Sequence, residues 1–355
     1  MARAGQAVPR RPGRHHLARG LGEDLRAVDQ QAAGARVSGA TTDEGQVEQR
    51  HDLAHVPLTS PSKTSGVLEV FRRRYLLRLL VRREIRARYA GTGFGLAWSY
   101  INPLTRFLTF YAVFGLLLGR GMGLENFAIH LFAGMVLVLY FSETVTAGTR
   151  SLLSNKAVIG KMAMPREMFP VASMLVSLWH TFPMMVILTV ACLLTGWFGD
   201  GPAWHPDLLG FGAAALGFLL MMVYGTALGL MFSTINVIFR DFQRIVATFM
   251  NMIQFSAPMM YPYFLIADGR RIPVEYHDIY VGNPVAVAVM LIQRGFWYPT
   301  CSPACAVDPE TGADLPEFVG DLYSRGFIML GIGVLLLVLG QFVFSRLEKS
   351  VPERL

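Results

Sequence analysis

The residues best placed to do chemistry are arginines. Arg74, Arg78, Arg82 and Arg86 recur every fourth position, so on a helix they share one side, with Leu76, Leu80 and Ala87 opposite and Arg73 and Arg83 off the stripe. Such a stripe attracts anions. It serves either as a polybasic anchor to acidic headgroups, worth about 1 kcal/mol per side chain near the surface, or as one wall of an opening for an anionic molecule. A second cluster lies in Ser154-Asn155-Lys156-Ala157-Val158-Ile159-Gly160-Lys161, which runs on to Pro165-Arg166-Glu167. Gly160-Lys161 resembles the end of a phosphate loop, but the earlier glycine is missing and Met162 stands where Ser or Thr would bind magnesium. The cluster reads as a solvated connector or as a small helix that docks on a partner.

Other candidates carry less. Glu143, Arg106 and His180 sit in apolar stretches, where ionisable residues are functional candidates by default. Glu143 is expected about one turn from the inner end of its span and Arg106 within reach of a boundary, so neither suggests a proton relay. His180 has no second ligand at metal spacing and reads as a helix-to-helix hydrogen bond. No nucleophile elbow, zinc-protease motif or pair of intramembrane carboxylates appears, so catalysis has no constellation to rest on. Cys192 reads as a small buried hydrophobe. Cys301 and Cys305, separated by Ser-Pro-Ala, are a possible disulfide if their loop faces an oxidising compartment.

The elements that must position these residues are membrane helices. Of 355 residues, 53% are hydrophobic and 16% charged, against about 25% charged in ordinary soluble domains. The formal net charge of +7 is concentrated. Residues 67–90 hold eight Arg against two Glu, residues 1–66 nine Lys or Arg against seven acids, and residues 91–355 fifteen against sixteen. This placement argues against nucleic acid and for a basic segment beside a membrane.

Residues 1–66 are expected as a disordered cytoplasmic tail without a signal peptide and 67–96 as a cytoplasmic interfacial helix. Six apolar segments are long enough to cross a bilayer: 97–119, 127–148, 170–198, 208–235, 245–267 and 325–345. Pro183 is a candidate kink in the third. The apolar run 284–298 is too short and carries Gln293 and Arg294, so it is expected to be re-entrant or interfacial. Six spans with both termini in the cytoplasm place the Arg run, Arg150, Lys156, Lys161, Arg166, Arg240, Arg244, Arg346, Lys349 and Arg354 inside. The loop 268–322, with three Arg against eight acids, then lies outside, and 346–355 forms a cytoplasmic tail. Tyr100, Phe107, Tyr111 and Phe114 form an aromatic stripe along the first span, either core packing or a pathway wall for sugar rings.

Taken in order, several pieces resemble the membrane subunit of ABC-2 type exporters of polysaccharides and polyol phosphates, the O-antigen, capsule and teichoic-acid permeases. They are Arg83-Glu84-Ile85-Arg86-Ala87-Arg88-Tyr89, Gly95-Leu96-Ala97-Trp98 and Asn102-Pro103-Leu104; Ser142-Glu143; Asn155, Ile159, Lys161 and Pro165-Arg166-Glu167; Phe239-Arg240-Asp241; Pro258 and Tyr261-Pro262; and Asn283-Pro284. The resemblance covers about 79–347. It implies a homodimer enclosing a channel in the cytoplasmic membrane, with two copies of a separate ABC ATPase that supplies ATP and Mg chemistry, this chain holding no cofactor and being no enzyme. It further implies that Asn155, Lys156, Ile159, Lys161, Pro165, Arg166 and Glu167 form a coupling helix on the ATPase, with Arg240 and Asp241 a second contact. Arg78, Arg82, Arg86, Arg88 and Tyr89 would belong to a gate helix near the lipid-linked glycan's head. Asn283 and Pro284 would open a re-entrant outer gate, and Tyr100, Phe107, Tyr111 and Phe114 would line the channel. The cargo implied is a lipid-linked polysaccharide or teichoic-acid-like polymer; exporters of small drugs or lipids and, further off, a membrane glycosyltransferase or polymerase remain alternatives.

Overall fold

Apolar sequence without charges folds as helix in a bilayer because helices alone satisfy their own backbone polar groups locally. In the computed structural model four helices are long and apolar enough to cross a membrane: Phe127–Ser154, Met168–Phe198, Leu208–Ile238 and Leu322–Leu347. The structure describes residues 66–89, 93–117, 124–161, 164–198, 203–267, 273–301, 305–307 and 314–348. Those lie within one unit, Pro61–Leu355. The expected tail before residue 66, most of the tail after 346 and parts of the loop 268–322 lie outside the described residues.

In chain order the helices are α1 (Gly66–Arg72), α2 (Arg74–Tyr89), α3 (Trp98–Phe110), α4 (Phe127–Ser154), α5 (Lys156–Ile159), α6 (Met168–Phe198), α7 (Leu208–Ile238), α8 (Phe242–Ile253), α9 (Phe264–Ala267), α10 (His277–Val281), α11 (Pro284–Phe296) and α12 (Leu322–Leu347). The described residues contain no strand, only two isolated bridges, Leu124 to Ala306 and Val307 to Asp314. The expected all-α character holds.

Two expected spans differ in detail. α3 passes at Tyr111 into a π-helical stretch, Tyr111–Leu117, so α winding does not run the whole length. The segment 245–267 is broken: α8 ends at Ile253, a 3₁₀ turn covers Gln254–Ser256, and helix resumes only at α9. Pro258 and Pro262 account for the break, since each removes a backbone donor and crowds the preceding turn. Pro183 does not end α6.

α4 is the centre, with 78% of its most apolar window buried against α6, α7, α8 and α11. Small residues make this possible, because lipid offers no hydrophobic drive between helices and close backbone approach must supply the contact. A Cβ on Gly148 would lie 2.8 Å from the Gly229 Cα, so α4 and α7 touch backbone to backbone there. α12 is peripheral, only 17% buried over the corresponding window, and meets α7 and α11 along Gly326, Gly333 and Gly340 at seven-residue spacing. The short α11 is almost wholly buried. Its start is fixed by the sequence: the Asn283 side chain accepts from the Val285 N–H at 3.0 Å, and Pro284 occupies the first turn, where no amide donor is needed.

Candidate functional site

α2 packs beside the C-terminal end of α4 and the N-terminal end of α6. Its apolar side, with Leu77 and Leu80 buried, shares a small core with Leu152, Met168 and Phe169, and Val158 and Ile159 pack against the same core. Ala87, expected on the apolar side, is exposed. The striped arginines Arg74, Arg78, Arg82 and Arg86 are exposed and form no ion pair among the described residues. Arginines off the stripe are partnered. Arg73 reaches Glu69 at 3.0 Å, and Arg83 donates to Asn155 Oδ1 at 3.1 Å.

Asn155 is a junction. Its Nδ2 donates to Glu84 Oε1 at 2.9 Å and to the Ser151 carbonyl at 3.0 Å, so its amide is used on both sides. Burial raises the Glu84 carboxyl above its ordinary range, opposed by the Asn155 hydrogen bond and the charges of Arg83, Arg150 and Arg88.

Further along α2, Arg88 pairs with Glu143, and the Tyr89 hydroxyl shares a 2.6 Å hydrogen bond with His180 Nδ1. α4 continues through Thr149-Arg150-Ser151 to Ser154, putting Glu143 eleven residues, about 16 Å, from that end. The C-terminal end of α2 therefore meets α4 well above the inner end of that helix.

A cavity of about 560 Å³ opens at this level. α3 contributes Ser99, Asn102 and Arg106, and α4 contributes Ser142, Glu143, Thr146 and Arg150, each set at the three- and four-residue spacing of one helix face. Arg88, Tyr89, His180 and Asn251 add further polar groups, and Gly95, Trp98, Pro103, Leu139, Ala147 and Met184 form the rest of the wall. Three arginines face one carboxylate, so the cavity favours anions, while its hydroxyls and amides supply neutral hydrogen-bonding groups. Arg106, His180 and Glu143 were visible in the sequence as intramembrane ionisable residues. Asn251 was not, since an amide in an amphipathic stretch carries no distinguishing signal.

The expected coupling residues divide. Lys156 and Lys161 are exposed, as are Phe239, Arg240, Asp241 and Arg244 at the α7–α8 turn. Pro165 and Glu167 are buried, and Arg166 turns back, donating to the Glu348 carbonyl at 3.0 Å with its Glu348 Oε1 ion pair at 3.5 Å. Glu167 accepts from Gln341 Nε2 at 3.2 Å. Burial and the neighbouring Glu167 push the Glu348 carboxyl up to about 7, against the pull of Arg166.

Of the aromatic stripe, Phe107, Tyr111 and Phe114 pack on the core, Phe107 stacked on Tyr111 at 5.8 Å and edge-on to Phe132; Tyr100 is exposed. At the opposite end of the molecule, Asn283 Nδ2 also donates to the Ser256 carbonyl and Oγ, and Gln293 donates to the Pro258 carbonyl at 2.9 Å. Asp207 caps α7 and receives Arg294 at 2.9 Å; burial would raise its carboxyl, but Arg294 holds it below the ordinary range. Cys301 and Cys305 are joined as a disulfide. Among the described residues there is no cluster of three potential metal ligands.

Apolar helices around an open cavity lined by polar groups, beside a basic helix and an exposed turn between α7 and α8, define a polytopic membrane protein. The chain belongs to the ABC-2 type transporter family, which matches residues 75–293. It is similar to the O-antigen export system permease protein RfbA of Myxococcus xanthus, with 28% identity over 205 residues, 57% of this chain and 74% of that protein. A protein of the same name from Klebsiella pneumoniae is 23% identical over 278 residues, 78% of this chain and 94% of the relative. The polysialic acid transport protein KpsM of Escherichia coli is 20% identical over 210 residues, 59% and 76% of the two chains. The chain is thus the multi-pass membrane subunit of a transporter and not an enzyme, and its ATP hydrolysis belongs to a separate ABC ATPase partner.

Proposed function

We propose that this chain exports a lipid-linked polysaccharide across the cytoplasmic membrane, as a homodimer on two copies of its ATPase. The relatives' names support the cargo class, and the cavity is the observation that carries the reading. It joins Arg88, Arg106 and Arg150, suited to an anionic lipid-linked head, to hydroxyls and amides suited to sugars. In this reading α2 is the gate helix at the cytoplasmic mouth. Lys156, Lys161, Arg240 and Asp241 face the ATPase, while Pro165, Arg166 and Glu167 hold their loop to the end of α12.

The membrane body has six spans and cytoplasmic termini. The first is the 20-residue run 98–117, about 30 Å long if wound at 1.5 Å per residue. The fifth is α8 with its broken continuation, and α11 is a re-entrant outer gate started by Asn283 and Pro284. The Cys301–Cys305 bond fits an oxidising outer face. Deleting the chain from its host should abolish a surface glycan and leave its lipid-linked precursor inside. Unchanged surface glycan, assayed by carbohydrate staining of the extracted envelope, would overturn the proposal.

A further inference from the structure

The turn expected to meet the ATPase and the helix at the cytoplasmic mouth are separated by some seventy residues of sequence, yet one side chain joins them. Asn155 ends α4 and starts α5, and it is buried. Its oxygen accepts from Arg83 and its nitrogen donates to Glu84, both on α2. A third bond, to the Ser151 carbonyl, fixes its orientation on α4. Beneath these bonds Leu77 and Leu80 of α2 pack in the same apolar cluster as Leu152, with Val158 and Ile159 against it. The charged groups acting on Glu84 are Arg83 and Arg88 from α2 and Arg150 from α4.

We infer that Asn155 is the positioning residue that makes α5 and α2 one rigid lever, so that displacement of the α5 turn by the partner ATPase is delivered directly to the mouth helix. This deepens the proposed function and rests on α5 being the docking turn. The chemistry is specific. A carboxamide accepts from a guanidinium on its oxygen while its two N–H groups donate to a carboxylate and a backbone carbonyl, three bonds that no hydroxyl or neutral imidazole makes together. An aspartate would accept from Arg83 but face Glu84 with like charge.

The test uses the full chain purified with its ATPase and spin-labelled at Arg82→Cys and Ala157→Cys, both exposed positions. With Asn155 present, the interlabel distance should be the same without nucleotide and when trapped with ATP and vanadate. Asn155→Ala and Asn155→Asp should each lose that fixed distance on trapping. The double variant N155D/E84Q restores a hydrogen bond of reversed polarity, the new amide donating to the new carboxylate, and should restore the fixed distance.

A general structural defect would not be repaired by a second substitution of this kind. If N155A does not assemble, the comparison of N155D with N155D/E84Q decides alone. A nucleotide-dependent distance in the unsubstituted chain, a fixed distance in N155D, or no recovery in the double variant would overturn the inference. These outcomes do not depend on the cargo, so the glycan assay fails separately from the lever.

Discussion

Glu348 closes the inner end of α12 and offers a measurement with a definite sign. Both its carboxylate oxygens are buried without a hydrogen bond, the residue is 2% exposed, and Glu167 lies close enough to oppose its ionisation. Its carboxyl is pushed from 4.5 to about 7. A carboxyl raised in the folded state favours folding fully below its unfolded value, and that contribution is lost as pH rises through the folded value. Stability should therefore fall between about pH 4.5 and 7 and level off above.

The displacement corresponds to at most ~3.5 kcal/mol at about 1.4 per pH decade. The adjacent Arg166 guanidinium and relaxation of the surroundings offset part of this, so about 1–2 kcal/mol is the working figure. Glu348→Gln keeps the Arg166 bond to the backbone carbonyl and cannot titrate. At pH 8 it should be more stable than the natural chain by that amount, and near pH 4.5 the two should agree. The assay is thermal unfolding in detergent across pH, read by fluorescence, with amide exchange at the end of α12 as a local probe. Equal pH slopes for the two proteins over this window would refute the argument that the carboxyl is buried uncharged.

Gly148→Leu should abolish recovery of folded protein, because its Cβ meets the rigid Gly229 backbone at 2.8 Å; size-exclusion chromatography reports it, and normal elution would contradict the close approach. Asn283→Ala removes the cap of α11 and two bonds to Ser256, costing about 1–2 kcal/mol in thermal stability, while Asn283→Asp should keep the cap. Denaturing alkylation without reductant should label Cys192 alone, and with reductant all three cysteines; three labels without reductant would exclude the disulfide.

Length and apolarity made α4, α6, α7 and α12 legible from the sequence, because one-dimensional hydropathy is what a bilayer selects. The broken segment after Ile253 was less so. Its composition is apolar throughout, and only Pro258 and Pro262 mark where backbone donors are lost. The basic stripe of α2 was legible by period, but its meaning lay in the exceptions: Arg83 leaves the stripe because it answers Asn155, seventy-two positions away. Long-range pairings of this kind, like Arg166 with Glu348, have no local signature. The cavity was half visible. Its ionisable members stand out against apolar neighbours, whereas Ser99, Thr146 and Asn251 converge only once three helices are packed.

The seam beneath α12 has a mechanical consequence. Gly326, Gly333 and Gly340 bring the α12 backbone close to α7 and α11, and along the contact the Tyr323 hydroxyl donates to the Leu209 carbonyl and the Tyr224 hydroxyl to the Met329 carbonyl. Polar contacts also hold both ends: Arg325 pairs with Asp278 at one, and Gln341 and Glu348 meet Glu167 and Arg166 at the other. A straight rod held at both tips transmits an axial push along its whole length. A displacement of α12 along its axis would therefore register at both ends of the bundle at once.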